Sequence, residues 1–357
     1  MPARAADAVR GETPGKGRID RPPAPSDRVR LPAALGRRFL VFVDTEEEFD
    51  WYAPRRRDAT STRAVAALPE AHRRLSGFGI APTYLVDYPV ARSPEAVALL
   101  RPLMEAGECA IGAQLHPWVN PPHEEELTVS NSFVGNLPVD LERAKLRALT
   151  EAIAEGFGRA PLVYRAGRYG VGPHSAALLE EAGYRLDVSV RALFDYSDEG
   201  GPDFSRRDAF ASWAGPAGLL MELPLTAAFT GFARRLGAPL YAAAGRAPRM
   251  RGLLARTGAL ERIALTPEGT PLSDALRAIR TLLDDDMRLL SISFHSPSVE
   301  PGHTPYVRDA DDLRRFYAWW DGVLDHLARE GVEPIGAEEL IRAAWAARDV
   351  GLRLATA

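Results

Sequence analysis

The chain has 357 residues, is 46% hydrophobic and carries a formal net charge of −4 from 44 basic and 48 acidic side chains. It can bury a sizeable core, and no stripe of Lys or Arg interleaves with aromatics in the folded part, which argues against nucleic-acid binding. The single cysteine, Cys109, excludes an internal disulfide and a cysteine-based zinc cage, and no apolar run reaches the roughly eighteen residues of a membrane span.

Residues 1–36 are rich in Arg, Pro, Ala and Gly, follow no helical or strand period and contain no apolar signal core. They are expected to form a disordered leader, and the protein is expected in the cytoplasm. From residue 37 the chain alternates. Apolar, β-rich runs at about 39–43, 81–86, 109–115, 161–164, 185–190, 218–223 and 288–294, with a weaker one near 331–335, read as strands. Segments of helical spacing lie between them at 62–77, 94–106, 139–157, 174–182, 271–284, 310–330 and 337–348. Ser93–Pro94 and Gly172–Pro173–His174–Ser175 supply helix-start signals.

Repeated βα units imply a parallel sheet, and seven or eight strands favour an α/β barrel with its chemistry at the carboxyl ends of the strands. No GxGxxG or P-loop pattern follows any strand, so nucleotide-binding folds lose ground. The expected organisation is one domain over 37–348, an insertion at about 225–270 that could act as a lid, and a tail at 349–357.

The first strand, Phe39–Val43, runs into five carboxylates within seven positions, Asp44, Glu46, Glu47, Glu48 and Asp50. Such crowding requires water, a cation or a partner to neutralise it. Later strands end on Gln114, His116 and Trp118, on Arg165, on Asp187, on Glu222 and on His295. In a barrel these converge. Asp187 lies within an apolar run and calls for a partner, for which Arg165 is the expected one. His72 and His326 fall in helical runs and read as solvated. His303, on a loop after His295, is a further candidate. Trp51, Trp118 and Tyr169 stand beside the polar candidates, where they suit packing of the barrel rim or contact with a ligand.

Taken in order, Val43–Asp44–Thr45–Glu46, Ile111–Gly112–Ala113–Gln114–Leu115–His116, Tyr164–Arg165–Ala166–Gly167–Arg168–Tyr169, Leu186–Asp187–Val188–Ser189 and Ile292–Ser293–Phe294–His295 resemble the motifs of the polysaccharide deacetylase (NodB-homology) superfamily. More narrowly, Asp44–Trp51, Gln114–Pro122 and Phe294–Ser298 resemble a WalW-type subgroup. The resemblance implies a deformed NodB-like α/β barrel and removal of an acetyl group from an amino-sugar or other saccharide unit. It implies a divalent metal, zinc in many members, held here by Glu46 and His116. Asp44 would be the general base, His295 the acid, Arg165 the group that orients Asp44, and Asp187 a further catalytic residue. Gln114, Trp51, Trp118, Tyr169 and His303 would meet the substrate. The family's pair of His four apart is represented by Gln114 and Trp118, with His116 between them, and His303 or His123 could substitute as a ligand. Two other readings stand beside hydrolysis of a saccharide or sugar precursor. One is cleavage of a small non-sugar, non-peptide C–N bond, and the other is a metal-free binding or scaffold protein of the same fold.

Overall fold

A computed structural model describes residues 17–247 and 249–355. The strands are β1 (Arg37–Thr45), β2 (Thr83–Val86), β3 (Ala110–Leu115), β4 (Val163–Ala166), β5 (Leu186–Asp187), β6 (Ser212–Ala214), β7 (Leu220–Glu222), β8 (Ala227–Thr230), β9 (Glu261–Ala264), β10 (Leu289–His295) and β11 (Val332–Pro334). The helices are α1 (Leu68–Gly77), α2 (Tyr88–Arg92), α3 (Pro94–Glu105), α4 (Val139–Phe157), α5 (Ser175–Glu181), α6 (Gly237–Ala244), α7 (Met250–Arg256), α8 (Leu272–Asp284), α9 (Ala310–Arg329) and α10 (Ala337–Ala355). No described helix is long and apolar enough to cross a membrane.

Nine strands form one sheet in the order β10-β1-β2-β3-β4-β5-β7-β6, with β11 also paired to β1. All pairings are parallel except β6 against β7. The sheet curls without closing. Its two flanks approach where the Ser291 hydroxyl donates to the Pro224 carbonyl at 2.7 Å and the Ser291 N–H donates to Thr226 Oγ1 at 2.8 Å. The fold is thus a deformed α/β barrel with eight parallel strands.

Side-chain alternation divides the core. Phe39, Val41 and Val43 pack outward among the helices, whereas Leu40 and Phe42 face the concave side with Leu85, Val163 and Met221. Leu340, Ile341 and Ala344 of α10 fill that concave side at the amino ends of the strands. By the same period Asp44 continues the face of Leu40 and Phe42, and Arg165 that of Val163. The apolar plug and the polar site therefore occupy opposite ends of one cavity-facing surface.

Helix starts follow local chemistry. Asp87 caps α2 by accepting from the Val90 N–H at 2.8 Å, and Ser93 caps α3 from Ala96 at 3.2 Å. The segment expected as an insertion is an antiparallel β8–β9 hairpin that carries α6 and α7 between its strands.

Two expectations are corrected at the ends of the domain. Residues 17–36 are packed rather than disordered: Ile19 is fully buried, and the Val29 N–H donates to the Ala211 carbonyl at 2.9 Å. Residues 1–16 lie outside the described residues. The tail expected from 349 is helical as far as Ala355, because α10 continues through it. His72 and His326 are also buried, not solvated; His72 Nδ1 lies 3.0 Å from the Tyr84 hydroxyl.

Candidate active site at the carboxyl ends of the strands

Parallel register brings the chemistry-bearing residues side by side. Asp44 is level with His295 across β1 and β10, and Gln114 is level with Arg165 across β3 and β4. Asp44 Oδ1 accepts from Arg165 Nη1 in a buried ion pair, and Asp44 Oδ2 lies 3.5 Å from His295 Nε2. Arg165 is itself aimed by its Nε, which donates to the Val188 carbonyl at 3.0 Å.

Beyond the end of β1, Glu46 turns back over the strands. Its Oε2 accepts from Gln114 Nε2 at 2.9 Å and stands 3.5 Å from His116 Nε2, while its N–H donates to Ser296 Oγ at 3.2 Å. Burial pushes the Glu46 carboxyl up to about 7, against the opposing pull of His295 and His116. The His116 ring meets Glu47 Oε2 through Nδ1 at 2.7 Å and stacks on Trp118 with centroids 4.3 Å apart. Burial lowers its proton affinity, so the ring is neutral, the form in which imidazole binds metals. Gly167 is required beside it, since a Cβ there would stand 2.2 Å from His116 Cδ2. The next two residues, Arg168 and Tyr169, both adopt positive φ (55° and 60°). Two consecutive non-glycine residues in this region mark local strain next to the site.

Two sets of atoms around His116 could hold a cation. Glu47, Asp87 and His116 offer ligand atoms within 4.8 Å of one another. Their valences are largely taken, however. Glu47 Oε1 accepts from Trp118 Nε1 at 2.6 Å, and Asp87 accepts from the N–H groups of Val90 and Glu47 at 2.8 and 2.7 Å. On the other side of the ring, Glu46 Oε1 and Gln114 Oε1 are buried without a hydrogen-bond partner. Orphaned oxygens beside the Nε2 of a neutral His, which lies 3.1 Å from Gln114 Nε2 and whose ring partner Nδ1 meets a carboxylate, fit a divalent cation.

His295 is framed from two sides. Its Nδ1 lies 2.6 Å from Glu268 Oε2, and its N–H donates to Glu268 Oε1 at 3.0 Å. Ser298 Oγ donates to the same Oε1 at 2.6 Å. Burial opposes charge on the ring, but Glu268, Glu46 and Asp44 together raise its pKa to about 10. Trp51 packs edge-on against His295 at 5.1 Å, stacks with Phe49 at 5.1 Å and meets Tyr306 at 5.7 Å. The guanidinium of Arg55 lies 4.4 Å from the Phe49 ring. This loop covers Asp44, Glu46, Gln114 and His116, each no more than 3% exposed.

Several expected site residues lie elsewhere. Asp187 is not paired with Arg165. Leu186 and Val188 occupy the concave side, so Asp187 projects to the opposite face, where it accepts from Ser189 Oγ at 2.5 Å and sits level with Glu222. Trp118 is buried and engaged with Glu47, so it supports His116 from below and offers no open ring for a sugar. His303 stands 3.7 Å from Glu48 and 3.5 Å from Glu300 on an outer loop, and His123 is exposed. Tyr169 stacks on Tyr196 at 5.7 Å with the Arg191 and Arg165 guanidinium groups 5.6 and 6.0 Å from its ring. Sequence reasoning missed Asp87 and Glu268. Asp87 ends strand β2 and was open to the same strand-end rule. Glu268 follows the apolar run Ile263–Leu265 but lay within the presumed insertion.

No family profile and no curated protein matches the chain. Solved structures do. A candidate polysaccharide deacetylase from Mycobacterium smegmatis is 19% identical over 87% of this chain and 96% of its own, with a TM-score of 0.48. The allantoinase Puue is 14% identical over 87% and 89%, with a TM-score of 0.46. Peptidoglycan deacetylase PdaC from Bacillus subtilis is 11% identical over 90% and 98%, with a TM-score of 0.38.

Proposed function

We propose that this chain is a metal-assisted hydrolase that removes an acetyl group from the amino nitrogen of a saccharide unit. The observation that carries the reading is the placement of Asp44 between Arg165 and His295, next to the orphaned oxygens of Glu46 and Gln114 and the Nε2 of His116. A divalent cation, zinc being the natural choice for this donor set, would be held by Glu46 and His116 with Gln114 adjoining, and would polarise the amide carbonyl and acidify water.

The chain's own groups complete the hydrolysis. Asp44, oriented by the Arg165 guanidinium, accepts a proton from water as the water oxygen bonds to the carbonyl carbon. The C–N bond then breaks, and His295 delivers its Nε2 proton to the departing amine. Acetate and a free amino group are the products. Glu268 holds the ring by Nδ1, so Nε2 faces Asp44 and the reacting atoms. Trp51, half-exposed above His295, is the aromatic placed to meet a sugar ring.

The second reading is hydrolysis of a small non-sugar amide. It is favoured by the depth of Asp44 and Glu46, which lie beneath the Phe49–Arg55 loop where a compact group enters most readily.

Elemental analysis of protein purified without chelator or metal-affinity resin tests the metal site, paired with acetate release from N-acetylhexosamines and from small amides. About one equivalent of metal, lost in Glu46→Ala and His116→Ala but kept in an inactive Asp44→Ala, supports the proposal. No metal taken up on titration overturns it in favour of a metal-free binding role, and metal retained in both ligand variants overturns Glu46 and His116 as the ligands. Acetate released only from small amides selects the second reading.

A further inference from the structure

We infer that the β8–β9 hairpin is a docking surface for an anionic lipid bilayer. Between Glu222 and Glu261 the chain contains no acidic residue but six arginines, in a protein whose overall charge is −4. Arg234 pairs with Asp285 at 2.9 Å. Arg235, Arg246, Arg249, Arg251 and Arg256 are exposed, and among the described residues none of these five meets a carboxylate. Arg251 and Arg256 instead donate to the backbone carbonyls of Tyr241 and Gly252 at 3.1 Å.

Large apolar side chains are exposed in the same segment. Phe232 is 83% exposed, Leu236 61%, Leu253 51% and Met250 39%. Met250 and Leu253 are three apart on α7, so they share one helix face. Exposed apolar groups rimmed by unpaired cations match the acyl–headgroup boundary of an anionic leaflet, where the apolar groups bury and the arginines meet lipid phosphates.

Charge discriminates against the other occupants. A second copy of the hairpin would bring five unpaired cations against five more. Nucleic acid would satisfy the arginines but would leave the Phe232, Leu236, Met250 and Leu253 side chains without an apolar partner. The hairpin also rises from the strand ends that carry the site. The Leu265 N–H, just after β9, donates to the Thr226 carbonyl at 2.9 Å, three residues before Glu268. Docking by this face sets the mouth of the barrel beside the bilayer.

Co-sedimentation of the full chain with phosphatidylglycerol–phosphatidylcholine vesicles, and with phosphatidylcholine vesicles alone, tests the inference. Binding is expected only to the anionic vesicles and is expected to fall steeply with salt. Replacing Arg249→Ser and Arg251→Ser together should weaken it by about 25-fold, at roughly fivefold per arginine. The pair Phe232→Ser and Leu253→Ser should weaken it at least about tenfold. Circular dichroism of both pairs should match the parent, since all four positions are exposed. Absence of binding to anionic vesicles at low salt, or undiminished binding by both variant pairs, overturns the inference. So does RNA binding, or a dimer that Phe232→Ser dissociates, in a protein that ignores vesicles.

Discussion

Glu268 Oε2 lies 2.6 Å from His295 Nδ1, joining the turn after β9 to the last residue of β10. The contact sets which imidazole nitrogen points at Asp44 and holds the charge that the ring carries. Glu268 is in turn fixed by the His295 N–H and by Ser298, so the carboxylate cannot rotate away. Burial works against its negative charge, yet His295 and these hydrogen bonds keep its pKa below the usual value. The pair is therefore an imidazolium–carboxylate pair at neutral pH.

This pairing predicts the titration of His295. With a folded-state pKa of about 10 against an unfolded value near 6.5, the ring stabilises the fold fully below about pH 6.5, and that stabilisation is lost as pH rises to 10. In Glu268→Gln the partner charge disappears. The His295 imidazole resonance should then titrate markedly lower by NMR, and the fall in stability between pH 6.5 and 10 should flatten. An unshifted titration would show that Glu268 is not the group holding the proton.

The acid role proposed for His295 makes a kinetic prediction. His295→Ala should lower acetate release about a hundredfold or more while leaving the far-ultraviolet spectrum of the parent. His295→Gln should do no better, since a side-chain amide has no proton to give the departing amine. Turnover equal to the parent in either variant removes His295 from the chemistry.

Much of this arrangement is legible in the amino-acid order because a parallel strand buried on both faces is a continuous apolar run that must end in polar residues. Val43–Asp44 and Phe294–His295 both announce a strand end, and register then sets the two level. What the runs conceal is parity. Asp187 sits in an apolar stretch just as Arg165 does, but one position's shift sends it to the opposite face of the sheet, with Tyr164 and Glu222. Glu268 is hidden for another reason. It reaches His295 only because a hairpin of more than thirty residues returns to the barrel, a long-range contact with no local signature.

Lys145 shows the same long-range logic. It is fully buried on α4, and its Nζ donates to the carbonyls of Pro117, Asn120 and Pro122 at 2.9, 2.7 and 2.7 Å, 3.1 Å from Glu125. One ammonium thus gathers the turn that follows His116 and carries Trp118. Lys145→Met keeps the length but leaves three carbonyls and a carboxylate without their donor. Destabilisation of about 3 kcal/mol is expected in urea denaturation. Metal uptake should weaken alongside, since the turn supports the His116 ring. A change below about 1 kcal/mol would mean that water replaces the ammonium, and the turn is held by other contacts.

Glu142 offers a test in the opposite direction, away from the site. It is buried on α4 and accepts a hydrogen bond from Ser175 Oγ, and burial raises its pKa to about 7. A carboxyl whose folded pKa exceeds its unfolded value near 4.5 binds its proton more tightly when folded. Its effect on stability is therefore most favourable below about pH 4.5, declines through pH 7 and is fully unfavourable above that. Glu142→Gln keeps the acceptor oxygen and removes the charge. The variant should be more stable than the parent at pH 8, by about 1 kcal/mol or more, with the difference vanishing toward pH 5. Urea midpoints measured at both pH values decide it: equal gains at pH 5 and 8 would trace the effect to packing, whereas a gain confined to pH 8 identifies the buried carboxylate as the cause.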